Sequence, residues 1–367
     1  MAFFVYHLEL ALMKITAVKV WKENLELTRP YTIAYRTIDK VENIFVTIEG
    51  ANGMKGIGAA SPAVYVTGEV LEDSLRLLQS ELPACCEGQD IRHLSALLRS
   101  VQTKLAGHPA ALAAADIALY DLFTQFLDVP LVKYLGQCHK GLATSVTIGI
   151  MTVEESLEAA QDWLGQGFKI LKVKTGNDVD RDIEVIKKLR ERFGQDFGIR
   201  VDANQGYDLA ALTRYLEGVS SDNLEFVEQP LPRGKFSELQ KASAAIRQQC
   251  AADEDLHDPK DAIPLLAAPM PYGIFNIKLM KCGGIQPALS IADMAHYSGR
   301  HLMWGCNDES IVSITAALHA ALACPATRYI DLDGSLDLAR DVVAEGFVLK
   351  DGIMYPNDKP GLGVVQL

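Results

Sequence analysis

No run of this 367-residue sequence approaches the length of apolar chain needed to span a bilayer. Cysteine is sparse and unpatterned. Its seven copies (Cys85, Cys86, Cys138, Cys250, Cys282, Cys306 and Cys324) are odd in number, contain no CxxC pair, and include an adjacent pair that cannot readily bridge itself. That excludes a disulfide framework and points to reduced thiols in a cytoplasmic protein. Positive charge is in deficit: 35 Lys and Arg face 47 Asp and Glu, for a net charge of −12. A nucleic-acid partner or an anionic membrane surface is therefore not expected. An anionic small molecule is not excluded, because a local lysine cluster and a metal can override the global sign. The first dozen residues carry His7 and Glu9 and lack a basic n-region, so a signal peptide is disfavoured. Residues 1–12 read as an extension preceding the more natural start at Met13-Lys14-Ile15.

What is present is apolar residue, 49% of the chain, enough core for two domains or for one with an appendage. Lys14–Trp21 and Asn43–Glu49 alternate like strands, the turn Gly50-Ala51-Asn52-Gly53 follows, and Lys55-Gly56-Ile57-Gly58 completes an antiparallel meander. Helical spacing takes over from Glu69 to about Leu135, most clearly in the alanine-rich stretch 110–127. The first 135 residues thus form an α+β unit. After Gly136 a period appears: candidate strands centre on Thr147, Lys174, Asp202, Glu228, Asp253, Lys278, Gly305 and Asp331, 25 to 28 residues apart, with one helix-like segment in each gap. Eight strands at that spacing fit an α/β barrel, of (β/α)7β form, over 136–334. An open doubly wound sheet would show a glycine-rich phosphate turn after its first strand, and none follows Thr147. The tail, 335–367, is strand and turn, and is expected to return to the first unit.

In such a barrel the strand C-termini converge on one face, where barrel enzymes keep their sites. The third, fourth and fifth strands deliver Asp202, Glu228 and Asp253 there. Three carboxylates on neighbouring strands make an oxygen-only site of the kind Mg2+ prefers, and no histidine or cysteine at that level favours zinc. The second strand, Ile170-Leu171-Lys172-Val173-Lys174-Thr175, places two lysines on one face. Like charges that close disfavour each other's protonation, so one lysine could act as a base near neutral pH. The sixth strand ends in Lys278. Strands two and six lie across the mouth from each other, so Lys174 and Lys278 would face one another over the metal. A carbon acid between them could lose a proton to one and regain it from the other, inverting a stereocentre. Lys172 would neutralise the substrate carboxylate.

With these motifs the sequence resembles the enolase superfamily, in its muconate-lactonizing-enzyme subgroup. The shared motifs are KxK at 172–174, DxN at 202–204, EQP at 228–230, Asp253-Glu254, and NIKxxKxGG from Asn276 to Gly284. The likeness runs from about Lys14 to the C-terminus. It implies a capping domain whose loops, here around 29–37 and 61–68, close over the barrel and choose the substrate. Asp331 and Asp333, after the eighth strand, resemble the signature of the dipeptide epimerases, in which two aspartates hold the substrate's α-ammonium group. Paired carboxylates at i and i+2 of an extended segment share a face and suit a cation. The loop Thr32–Thr37 resembles that of the Ala-Glu epimerases, with Arg36 matching the arginine that meets a glutamate side chain. Thr147 joins the implied substrate contacts. Two departures stand out: no lysine occurs in Gly305–Ile311, and Ala59 follows Gly58 where many members carry Glu.

The resemblance implies a Mg2+-dependent isomerase that epimerises a dipeptide at its C-terminal α-carbon by two-lysine proton transfer through an enediolate. L-Ala-D/L-Glu is the implied dipeptide, with murein peptide metabolism as its setting and a homo-oligomer as the expected state. The rivals are a syn-eliminating or cycloisomerising lyase, such as o-succinylbenzoate synthase or muconate cycloisomerase, and a non-catalytic binding relative.

Overall fold

The computed structural model describes residues 13–28 and 40–367, and between them the backbone of 31–33 and 36–38. Strands Ile15–Asn24, Glu42–Gly50 and Lys55–Ala60 form an antiparallel sheet in that order. The alanine-rich helix Pro109–Phe126 lies on this sheet, and its approach explains the glycines of the third strand. A Cβ built on Gly56 would stand 2.2 Å from the Ala118 carbonyl oxygen, and one on Gly58 would stand 1.9 Å from that of Ala114. Small residues on both elements let backbone meet backbone. Helices Leu71–Cys86 and Leu94–Lys104 complete the layer.

The eight barrel strands are Val146–Ile148, Ile170–Lys174, Gly198–Asp202, Leu224–Glu228, Cys250–Ala252, Ile274–Ile277, His301–Trp304 and Thr327–Ile330. Neighbours pair in parallel and in sequence order. A parallel bridge between Thr144 and Ile330 and a 3.3 Å hydrogen bond from Ser145 N to the Ile330 carbonyl close the ring. The periodic spacing located every strand, but four of the expected centres sit too far along. Asp253, Lys278, Gly305 and Asp331 lie just beyond their strands, where backbone turns into the rim loops. They belong to the face that carries chemistry.

The capping layer is fastened to the barrel at the double glycine. Asp116 of the capping helix accepts hydrogen bonds from Ile285 N at 2.6 Å and Gln286 N at 3.4 Å, at the start of helix Ile285–Tyr297. Gly284 has φ +109°, and a Cβ there would lie 2.5 Å from Asp116 Oδ1. Only glycine suits both demands. The tail touches both units: Ile353–Pro356 pairs with Leu142–Ala143 beside the barrel, and Leu362 N donates to Asp121 Oδ1 of the capping helix at 2.7 Å. Among the described residues no helix is long and apolar enough to cross a membrane.

Candidate active site

Side chains from the C-terminal ends of the strands meet in a buried set of charges. Parallel pairing puts Asp202 beside both Lys174 and Glu228, so three strands present these groups at one level. Asp253 joins them from the fifth. Asn276, one residue before the sixth strand ends, donates from Nδ2 to Glu228 Oε1 at 2.7 Å and to Asp253 Oδ1 at 3.4 Å. The amide thus ties the two carboxylates together.

The lysines interleave with them. Lys172 Nζ stands 3.2 Å from Asp202 Oδ2, 2.8 Å from Glu228 Oε2 and 2.8 Å from Asp331 Oδ2. Lys174 Nζ is 2.7 Å from Asp202 Oδ2, and Lys278 Nζ is 2.8 Å from Asp253 Oδ2. Lys172 and Lys174 do share a face, since both reach the same oxygen of Asp202. Lys172 is not depressed by the neighbouring ammonium group, contrary to what the pairing of like charges suggests. Burial opposes the charge of Lys172 and of Lys278, but Asp331 and Glu228 outweigh it at Lys172, and Asp253 and Glu228 at Lys278, so both are shifted upward. The same field acts in reverse on the acids. Burial, and then Asp202, push Glu228 up to about 7.

Lys281 also belongs here. It ion-pairs with Asp253 Oδ1 and donates to the Asp253 carbonyl at 2.7 Å. The motif that contains it is plain in the sequence, but no role followed from its position. The short helix Leu279–Cys282 carries it back over the same carboxylate as Lys278. Glu254, partly buried, accepts from Gln205 Nε2 at 3.2 Å.

These groups set the chemistry that the site can accept. The carboxyl groups of Asp202, Glu228, Asp253, Glu254, Asp331 and Asp333 outnumber the lysines Lys172, Lys174, Lys278 and Lys281 that interleave with them. The central donors are oxygen only, which suits a hard ion such as Mg2+. As the side chains stand, lysines bridge the carboxylates, and no three metal-binding side chains among the described residues form a ready cage. The residues fit a divalent ion in donor type; its entry would displace ammonium groups from between the acids.

At the closing seam, Asp331 takes Ser145 Oγ on its Oδ1 at 2.6 Å and Lys172 on its Oδ2. Asp333 Oδ2 accepts from both Thr147 N and Thr147 Oγ1, each at 2.9 Å. Thr147, an expected substrate contact, is thus engaged with an acid of the aspartate pair. Burial, and then the neighbouring Asp331 charge, push Asp333 up to about 7. Above this seam Ser61 donates from Oγ to the Asp308 carbonyl at 2.9 Å, which seats the start of the loop 61–68 on the rim. Arg36 begins the short strand Arg36–Ile38, paired with Tyr31–Ile33; its side chain lies outside the described residues, as do Arg29, Pro30, Ala34 and Tyr35 of the same loop.

Fold and site together define a capped (β/α) barrel with a carboxylate–lysine centre at its C-terminal mouth. The chain belongs to the enolase superfamily, in the mandelate racemase and muconate lactonizing enzyme branch. Residues 15–136 match the family described as "Mandelate racemase / muconate lactonizing enzyme, N-terminal domain", and residues 155–366 match "Enolase C-terminal domain-like". Among its relatives, an L-Lys-D/L-Arg epimerase of Desulforapulum autotrophicum is 54% identical over 97% of this chain and 100% of its own. An L-Ala-D/L-Glu epimerase of Clostridium acetobutylicum is 33% identical over 96% of this chain and 99% of its own. The crystal structure of a dipeptide epimerase from Methylococcus capsulatus, complexed with Mg and the dipeptide L-Arg-D-Lys, superposes with a TM-score of 0.94. It is 50% identical, and the match covers 96% of this chain and 100% of that one.

Proposed function

We propose that this chain is a Mg2+-dependent dipeptide epimerase that inverts the α-carbon of the C-terminal residue. The observation that carries the reading is the placement of Lys174 and Lys278. Lys174 ends the second strand and Lys278 follows the sixth, four apart in the ring of eight, and each is ion-paired with a different member of the central carboxylate set. Asp202, Glu228 and Asp253 would hold the cation. Once bound, it supplies a fixed positive charge that stabilises the negative charge gathering on the substrate carboxylate as the α-C–H bond breaks.

The chain's own residues do the rest. Lys172 meets the substrate carboxylate beside the cation, while Asp331 and Asp333 receive the α-ammonium of the N-terminal residue. The substrate is thereby pinned at both ends with its α-carbon between Lys174 and Lys278. The neutral lysine on one face removes the proton, and the protonated lysine on the other delivers one. The two exchange roles for the opposite epimer. A lyase would use one lysine as base and leave the aspartate pair without an ammonium group to bind, which is why epimerisation is preferred.

For the substrate we favour dipeptides with cationic side chains, of the L-Lys-D/L-Arg kind, over the L-Ala-D/L-Glu kind that the Arg36 loop suggests. Two things support this. The more similar relative acts on cationic dipeptides by name. In addition, the rim after the seventh strand carries Asp308 and no lysine, so its charge suits a cation better than a glutamate side chain.

The test is turnover of L-Lys-L-Arg and L-Ala-L-Glu by the Mg2+-loaded protein in D2O, read by chiral separation and mass. Deuterium should enter the C-terminal α-position of both epimers, with L-Lys-L-Arg the better substrate. Preference for L-Ala-L-Glu would reverse the substrate assignment. An unsaturated or cyclised product would overturn the epimerase reading.

A further inference from the structure

The barrel interior beneath the site holds one arginine that the reaction does not use. Arg200 lies on the third strand two residues before Asp202, on the same inward face. It is buried, 2% exposed, and its guanidinium sits near the rings of Phe226 and Tyr329 at 5.7 and 5.1 Å. Nε donates to Glu225 Oε2 at 2.7 Å. Nη1 donates to Ser145 Oγ at 3.1 Å and also to the Ile330 carbonyl. One planar fork therefore grips Ser145, just before the first strand, and the eighth strand, through the residue before Asp331.

The direction of these bonds matters. A guanidinium only donates, so Ser145 Oγ must accept from Arg200. Its single proton is then committed to Asp331 Oδ1, 2.6 Å away. The oxygen is engaged from the floor side, and Lys172 engages the other. Thr147, two residues further along the chain, holds Asp333 in parallel fashion. The pattern Ser-x-Thr entering the first strand matches Asp-x-Asp after the eighth, hydroxyl to carboxylate.

We propose that Glu225, Arg200 and Ser145 form a positioning chain that aims Asp331 at the α-ammonium of the dipeptide's N-terminal residue. None of the three touches the reacting atoms. Glu225 lies at the opposite end of the barrel, next to Leu224, where the fourth strand begins, and is partly open to solvent there. It steadies the guanidinium, the guanidinium orients the hydroxyl, and the hydroxyl fixes the carboxylate. An arginine present only to fill the barrel floor would affect stability without affecting recognition of the ammonium. The identity of the bound cation rests on the dipeptide-epimerase reading above.

Two conservative variants test the chain in the Mg2+-loaded protein. Ser145→Ala removes the hydroxyl, and Glu225→Gln weakens the hold on Arg200 from the far face. With L-Lys-L-Arg as substrate, Ser145→Ala should raise KM by about tenfold or more and leave kcat within about threefold, because a charge-assisted hydrogen bond to the binding carboxylate is lost. Glu225→Gln should shift KM in the same direction by a smaller factor. KM unchanged in both variants, with only the melting temperature lowered, would overturn the proposal. The underlying reading fails separately and visibly: a wild-type protein that racemises N-succinyl-L-arginine but turns over no dipeptide with a free ammonium group would remove the ligand that Asp331 is said to meet, with no variant needed.

Discussion

Lys174 and Lys278 differ in their surroundings in a way that single substitutions can expose. Lys278 is buried against Asp253, whereas the Lys174 side chain is 24% exposed. If each serves one face of the α-carbon, Lys278→Ala and Lys174→Ala should both lower epimerisation, by about 10²- to 10⁴-fold for loss of a positioned acid–base group. Each variant should still exchange the α-proton of the one epimer presented to its surviving lysine. Solvent-deuterium exchange followed separately from L- and D-configured substrate checks this; equal loss from both would point to a single base. Most of these residues were legible in the sequence, because alternation places Lys172 with Lys174 and the repeat places three acids at one level. Arg200 and Ser145 were readable by the same parity, as each sits two residues before a residue already singled out. Parity alone gives them no role, because a strand-interior arginine looks like a solvated charge until the ring is closed. Lys281 needed knowledge of the helical turn after the sixth strand, which no alternation predicts.

At the level of single elements, the helix Ile311–Ala323 carries an anomaly in a mostly apolar run. His319 is fully buried and neither ring nitrogen has a hydrogen-bond partner among the described residues. Burial pushes its imidazole down to about 3. The unfolded chain binds a proton near pH 6.5 and the folded one does not until about 3. The group therefore costs nothing in linkage above 6.5, and stability falls as pH drops between those values, by up to about 1.4 kcal/mol per pH unit. His319→Leu keeps the volume and removes the unpaired nitrogens. It should stabilise by about 1 to 3 kcal/mol at pH 8 and by more at pH 5; urea unfolding at the two values decides it. Helices and strands were read well where period and caps agree, as in Val179–Phe193, whose N-cap Asp178 accepts from Asp180 N and Arg181 N. The close seating of helix Pro109–Phe126 on Gly56 and Gly58 was not readable, since a glycine in a strand signals close approach without naming what approaches.

For the molecule as a whole, Asp121 is where three parts of the chain meet. Its Oδ2 accepts from Ile57 N of the capping sheet at 2.9 Å, and its Oδ1 from Leu362 N of the tail at 2.7 Å. Asp121→Ala would leave two buried backbone N–H groups unpaired and should cost about 2 to 5 kcal/mol. Loss of tail protection in amide exchange, with the barrel amides still slow, should accompany it; uniform loss would mean that the tail is not separately held. The return of the tail could be anticipated from its strand-like pattern, but its attachment point could not, because a buried aspartate within an alanine-rich helix does not reveal its partner.

That attachment also bears on the order in which the protein is made. Leu362 follows Asp121 by 241 residues. At about 5 to 20 residues per second, the capping helix leaves the ribosome some 12 to 50 s before the backbone amide that completes its acceptor. The whole barrel is synthesised in that interval. The capping helix therefore waits through the synthesis of the barrel for its second backbone donor, and the capping layer is completed only when the tail returns.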